Sequence, residues 1–412
     1  MLQVWYQAGF NSQFWRTLLK YGPHWTRAWR ATRAFALAAC LTPAGFAQFA
    51  DAHPSNASGD IRVQNKNAGA AHLVFACDRP TSELSSLFTP ELIDDLKGLN
   101  AGVALSTEDL SRERAQVVRR LNAAGIPVTA WLTLPGNQGY YANAGNAPQT
   151  AARFTEFEKW TTDNGLSWKA LGLDIEPSLG EFGMFANHKA QLAFLLVRRA
   201  LDFGRMRRAR EAYAALIQQI QCHGYSVQTY QFALIADERR ARSTLLERIF
   251  GLVDVRGNDE VLMLYTSFNH GIGSALIWQY GSDAQTIAVG STAPSGNAAA
   301  DARFRPLNWE EFSRDLIVAR HFSPLLGVYS LEGCVRQGFM PRLRTMNWNQ
   351  PVVLSAESLR KAAKVRRLAR TALWIGSHLL YFIAAFLLAI AWLVRHIVLR
   401  RRRKRARSAP PL

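Results

Sequence analysis

Eight short apolar runs recur between residues 72 and 332, each separated from the next by a stretch of helical character, and this alternation constrains the fold more than any other feature of the chain. The runs are His72 to Asp78, Ala101 to Ser106, Pro127 to Pro135, Ala170 to Pro177, Ser226 to Phe232, Val261 to Phe268, Thr286 to Ser291 and Leu325 to Glu332. Helix candidates lie between them: Pro90 to Leu99 behind a Thr89 cap, Glu108 to Ala124, Gln149 to Asn164, Ala186 to His223, Asp237 to Leu252, Ile272 to Tyr280 and Trp309 to Phe322. Apolar strands joined by crossover helices pair in parallel. Eight such units predict an α/β fold, a closed (β/α)8 TIM-type barrel over residues 72–340, whose working face is the rim where strands end and loops begin.

The fourth run ends in Asp174-Ile-Glu176. Side chains alternate along a strand, so both carboxylates point to one side. Two acids at the end of a buried strand are costly to hold there unless chemistry or hydrogen bonding uses them, and acid/base work is the usual use. Hydrolysis of a glycosidic bond is therefore the leading expectation, with Glu176 as general acid and Asp174 keeping it protonated or orienting a reacting group. The loop Trp131 to Asn146 carries aromatic rings and amides but no charge. Rings stack on sugar faces and amides match hydroxyls, which makes Trp131, Tyr140, Tyr141 and Asn143 candidate substrate contacts. An ordinary Gly/Asn-rich loop is the other reading. Tyr230 and Gln231 at the fifth run and Tyr265 at the sixth complete the set. Glu332 at the eighth is a candidate second carboxylate, or equally a surface or ion-paired one.

The net charge of +18 is concentrated at the two ends. Residues 1–50 hold five Arg/Lys and no acid, residues 358–412 hold fourteen and no acid, and the stretch between has a net charge of −1. A neutral middle gives no reason to expect a nucleic-acid partner. Residues 371–394 contain no charged residue apart from His378, and a helix of that length crosses a hydrocarbon core of about 30 Å. We therefore expect a transmembrane helix there, preceded by a basic juxtamembrane linker (341–370) and followed by a basic, cytoplasmic tail (395–412). At the other end Arg27, Arg30 and Arg33 precede an uncharged run, Ala34 to Ala50, that suggests a signal or anchor segment over residues 1–50, with 51–71 as linker. A surface amphipathic helix is the alternative, and Leu37-Ala-Ala-Cys40 also fits a lipoprotein-type box. These flanks place the barrel in the periplasm or cell exterior. The Arg-rich stretch Arg198 to Arg210 is either a docking surface for acidic lipid or a partner, or a solvated helix face.

Four cysteines are too few for a disulfide scaffold. Cys77 and Cys334 lie at the first and eighth strands, neighbours in a closed barrel, and form either a bridge or two buried thiols. The nine histidines are scattered singly, so no metal and no cofactor are expected.

The pattern of the fourth, sixth and eighth runs resembles the chitinase-type family 18 glycoside hydrolases, whose fourth strand ends in D-x-x-D-x-D-x-E. Asp174 and Glu176 match the last two acids, Met263-Leu-Tyr265 resembles the family's sixth-strand element, and Gly327-Val-Tyr-Ser-Leu-Glu332 resembles its eighth. Lys169 and Gly172 stand where the family has two further aspartates, and the eighth-strand tryptophan position holds Tyr329 or Ser330. The strand end also resembles that of family 25 lysozymes. The resemblance implies a polysaccharide or oligosaccharide substrate, with Asp174 and Tyr265 steadying an N-acetyl group if the substrate carries one. A membrane-anchored barrel without catalysis, binding carbohydrate or serving as a scaffold, is the alternative.

Overall fold

The apolar runs form strands because most of their residues are buried, on one side under helices and on the other inside a barrel. In the computed structural model, which describes residues 59–65, 69–177, 195, 198–293 and 304–407, eight strands close into one parallel barrel in chain order. They are β2 (His72–Cys77), β3 (Gly102–Ser106), β4 (Val128–Trp131), β5 (Ala170–Asp174), β6 (Val227–Phe232), β7 (Asp259–Tyr265), β8 (Thr286–Gly290) and β9 (Leu325–Tyr329). The seam is the pairing of β9 with β2, with His72 opposite Leu325. Along β2 the side chains of Leu73, Phe75 and Cys77 pack outward under the helices, while Val74 and Ala76 face the barrel interior. Fully burying a side chain such as Phe75 contributes about 1.5–3 kcal/mol.

The helices start where the sequence supplies caps. α1 (Thr81–Leu87) and α2 (Pro90–Gly98) follow β2, and α2 opens with Thr89 accepting from the Leu92 amide and with Pro at its first position. α3 (Arg112–Ala123) opens on Ser111, and α4 (Ala147–Asn164) ends on Gly165 in the left-handed region. α5 (Phe203–Cys222) follows β5; residues 186–194, 196 and 197 of the expected helix lie outside the described residues. The expected single helix from Asp237 to Leu252 is instead two, α6 (Leu234–Arg240) and α7 (Leu245–Phe250). The cause is Glu238, whose carboxylate accepts from the amides of Leu246 at 2.6 Å and Glu247 at 3.1 Å, capping a second helix. α8 (Gly273–Tyr280) and α9 (Trp309–Arg320) complete the crossovers, α9 with a capping box between Asn308 and Glu311.

Both expected linkers carry structure. β1 (Ile61–Val63) pairs antiparallel with β10 (Val352–Leu354), fastening the chain before the barrel to the chain after it. α10 (Leu331–Arg336) and α11 (Phe339–Arg344) precede β10, and α12 (Ala356–Ser377) follows it. α12 is docked on the barrel rather than free: buried Arg366 donates to the buried Asp237 carboxylate at 2.8 Å, stacks on Tyr280 at 4.1 Å and pairs with Asp283. The apolar stretch expected as one helix over 371–394 is divided at His378. Its first turns belong to α12, with Leu373 buried, and the rest to α13 (Leu379–Arg407). Ser377 bonds back to the Leu373 carbonyl at 2.9 Å, a contact that bends helices. Within α13, Tyr381–Arg400 is long and apolar enough to cross a membrane. The leader, with Arg27, Arg30, Arg33 and Cys40, lies outside the described residues.

Candidate active site at the carboxyl end of the barrel

The inner face of β5 is set by its outer one. Leu171, Leu173 and Ile175 pack into the helix layer, so Gly172, Asp174 and Glu176 turn inward, the last two at the rim. Gly172 explains one departure from the family 18 pattern: a Cβ there would lie 2.7 Å from the Tyr230 ring, so the space of an upstream aspartate is occupied by a tyrosine from β6.

The loop after β4 is stitched to the same strand end. The Ala142 amide donates to the Asp174 carbonyl at 3.0 Å and the Glu176 amide donates to the Ala142 carbonyl at 3.1 Å. This extends the β4 side of the barrel by one bridge and sets Tyr141 beside Glu176; burial first, and then the Glu176 charge, raise the phenol. Tyr140, left-handed at φ 62° after Gly139, meets Tyr141 edge to face at 4.8 Å and donates its hydroxyl hydrogen to Asp78. Asn143 does not face the mouth. Its amide bonds the Tyr141 carbonyl at 3.1 Å and the Gly145 amide at 2.9 Å, so it shapes the loop that carries the tyrosines.

Aromatic residues close the other side. Tyr265 and Tyr329 stack at 5.3 Å across Gly290, which sits between them in register and leaves room for the contact. Trp131 meets Tyr329 edge to face at 6.3 Å. Beneath this ring lies a cavity of about 20 Å³, lined by residues such as Val261, Leu325, Ala104, Gln228 and Thr286. That is room for about a single water.

Gln231 is a correction. It is buried on the outward face of β6 and donates to the Val253 carbonyl at 3.0 Å, because the strand alternation that brings Tyr230 inward sends its neighbour out. Glu332 is buried on α10 rather than at the surface, with the charges of Asp78 and Arg79 acting on it. Asp78, at the end of β2, is a further carboxylate whose charge acts on Glu176. Sequence reasoning missed Asp78 and Tyr329, although Asp78 ends an apolar run just as Asp174 does.

Electrostatically the mouth favours protonated acids. Burial, then the charges of Glu176 and Asp78, hold the Asp174 carboxyl well above the usual carboxylate range, and its Oδ1 has no hydrogen-bond partner among the described residues. Burial and Asp78 push the half-buried Glu176 up to about 8. Asp78 is itself raised by burial, with Tyr140 and the buried Arg114 opposing the shift. Arg114 is held by the Ser106 carbonyl at 2.5 Å and by Asp109 at 2.7 Å. Three carboxyls converging where only some can ionise is an arrangement suited to proton transfer. Cys77 and Cys334 are free buried thiols, Cys334 lying 3.7 Å from the Thr292 hydroxyl.

No protein-family model and no curated protein matches the chain. Among solved structures it is similar to the PgaB (BpsB) glycoside hydrolase domain from Bordetella bronchiseptica, at 12% identity over 67% of this chain and 98% of that one, with a TM-score of 0.41. It is also similar to a xylose isomerase domain protein from Planctomyces limnophilus, at 12% identity, 74% and 98% coverage and a TM-score of 0.34. A third is dihydropteroate synthase from Thermus thermophilus, at 12% identity, 69% and 99% coverage and a TM-score of 0.32. Likenesses of this size carry nothing about chemistry, which has to be argued from the site.

Proposed function

We propose that the chain is a membrane-tethered glycoside hydrolase-like protein that cleaves a cell-envelope or exo-polysaccharide by acid/base catalysis. The observation that carries the reading is Glu176 at the barrel mouth, held protonated near neutrality by burial and Asp78, beneath a loop that presents Tyr140 and Tyr141. A carboxyl with a raised pKa gives its proton to the glycosidic oxygen as the bond to the anomeric carbon breaks. Asp174 and Tyr265 steady an N-acetyl group acting as nucleophile where the sugar carries one. Where it does not, the second carboxylate is Glu332 or Asp78, whose charge reaches both Glu176 and Glu332. The α13 helix tethers the barrel, with the basic tail in the cytoplasm and the mouth in the periplasm or outside the cell.

The test is release of new reducing ends from cell-wall and exopolysaccharide preparations by the full chain in detergent. Release supports the enzyme. Binding to the same polymers without release favours a carbohydrate-binding barrel, a reading supported by Tyr230 filling the space of an upstream acid. Neither binding nor release contradicts both.

A further inference from the structure

We propose that the face of the barrel carrying Arg198, Leu201, Phe203, Arg207 and Arg208 rests on an anionic lipid surface, so that the candidate site opens beside the membrane. The proposal builds on the reading of α13 as a membrane crossing.

α5 is the crossover helix between β5 and β6, so its first turn lies at the carboxyl end of the barrel and Cys222, at its last, lies at the far end. Its length of 20 residues separates the two by about 30 Å. Around the first turn Leu201 is 58% and Phe203 57% exposed, and Arg198, Arg207 and Arg208 are exposed beside them. Among the described residues the acids facing this surface are Asp202, which caps the helix by accepting from the Arg205 amide, and Glu211, 4.0 Å from Arg207. The cluster keeps a cationic excess around an apolar pair, the pattern of a surface that inserts rings among lipid headgroups while its cations meet anionic ones.

The position of the patch supplies the second argument. Arg199 and Arg205 reach the Ile249 and Arg248 carbonyls of α7 at 3.3 and 2.9 Å, and the Arg248 guanidinium lies 3.9 Å over the Phe203 ring. α7 packs through Leu245, Leu246, Ile249 and Phe250 against Leu373 and Trp374, at the end of α12. α13 starts two residues after α12 ends. The Gly251 carbonyl, closing α7, accepts from the Ala144 amide at 2.7 Å, in the loop that carries Tyr140 and Tyr141. Basic patch, rim loop and the start of the crossing are therefore one continuous side, and a membrane reached by α13 is within reach of Phe203.

The test uses the full chain with Phe203→Cys and Cys40→Ser in vesicles of phosphatidylcholine, with or without phosphatidylglycerol, labelled by a membrane-impermeant maleimide. Native Cys222, exposed at the far end of the same helix, is the internal reference. Labelling at position 203 is expected to slow by about tenfold in the anionic vesicles while Cys222 is unchanged. Adding Arg198→Glu, Arg207→Glu and Arg208→Glu, or high salt, restores it. Equal labelling of position 203 in both vesicles, with the chain still retained after an alkaline wash, overturns the docked face alone. Loss of the chain in that wash overturns the crossing and the docked face with it. Neither result depends on glycan turnover.

Discussion

Tyr140 donates its hydroxyl hydrogen to the carboxylate of Asp78, joining the loop after β4 to the end of β2 across the barrel mouth. Removing a donor to a buried acceptor costs about 1–3 kcal/mol, so Tyr140→Phe is expected to lower stability by that amount in chemical denaturation. It also removes the bond that opposes the upward shift of Asp78. A more protonated Asp78 repels Glu176 less, and the alkaline limb of the pH–activity profile moves to lower pH.

Arg366 and Asp237 are both buried, and Arg370 adds a second contact to Asp237 at 2.9 Å. Breaking a buried pair from one side costs about 3–5 kcal/mol. Arg366→Met is therefore expected to destabilise the barrel severely in thermal unfolding, and a chain truncated at residue 357 to yield little folded protein. A soluble fragment has to retain α12.

Glu176 predicts the direction of a pH effect. Its folded value of about 8 lies above the ordinary carboxylate value of about 4.3, so between these the folded chain binds the proton and the unfolded chain does not. That contribution to stability is full at low pH and is lost as pH rises through the window. Melting temperature measured from pH 5 to 9 is expected to fall less steeply in Glu176→Gln than in the parent.

Tyr141 and Gln231 separate the site from the scaffold. Tyr141→Ala is expected to weaken oligosaccharide binding about tenfold, the size of one lost ring contact, with little change in folding. Gln231→Leu is expected to leave binding intact and to lower stability, since it strips a buried bond to the Val253 carbonyl. Calorimetric titration and denaturation of the two variants check both.

Much of the barrel is legible in the sequence because its strands are buried on both faces and read as apolar runs, and Asp174 and Glu176 stand out as charges ending one of them. What stays hidden depends on contacts distant in the chain. Glu238 divides a helical stretch by capping its second half, and a helix pattern of α12 says nothing about Asp237, which makes Arg366 a core residue instead of part of a basic linker. Gln231 and Asn143 have the chemistry of sugar ligands but spend it on the Val253 and Tyr141 carbonyls. Asp78 was visible in principle, as the last residue of the first apolar run. Its importance emerges only when β2 and β5 are placed on the same rim.

The most direct measurement is turnover of a polysaccharide that the full chain is found to cleave, compared between the parent and Glu176→Gln at neutral pH. The exchange keeps the shape of the side chain and removes its proton. The account predicts loss of reducing-end release by at least about a hundredfold, with binding of the polymer and the melting transition retained. Near-parental release by Glu176→Gln would contradict it and remove Glu176 from the chemistry.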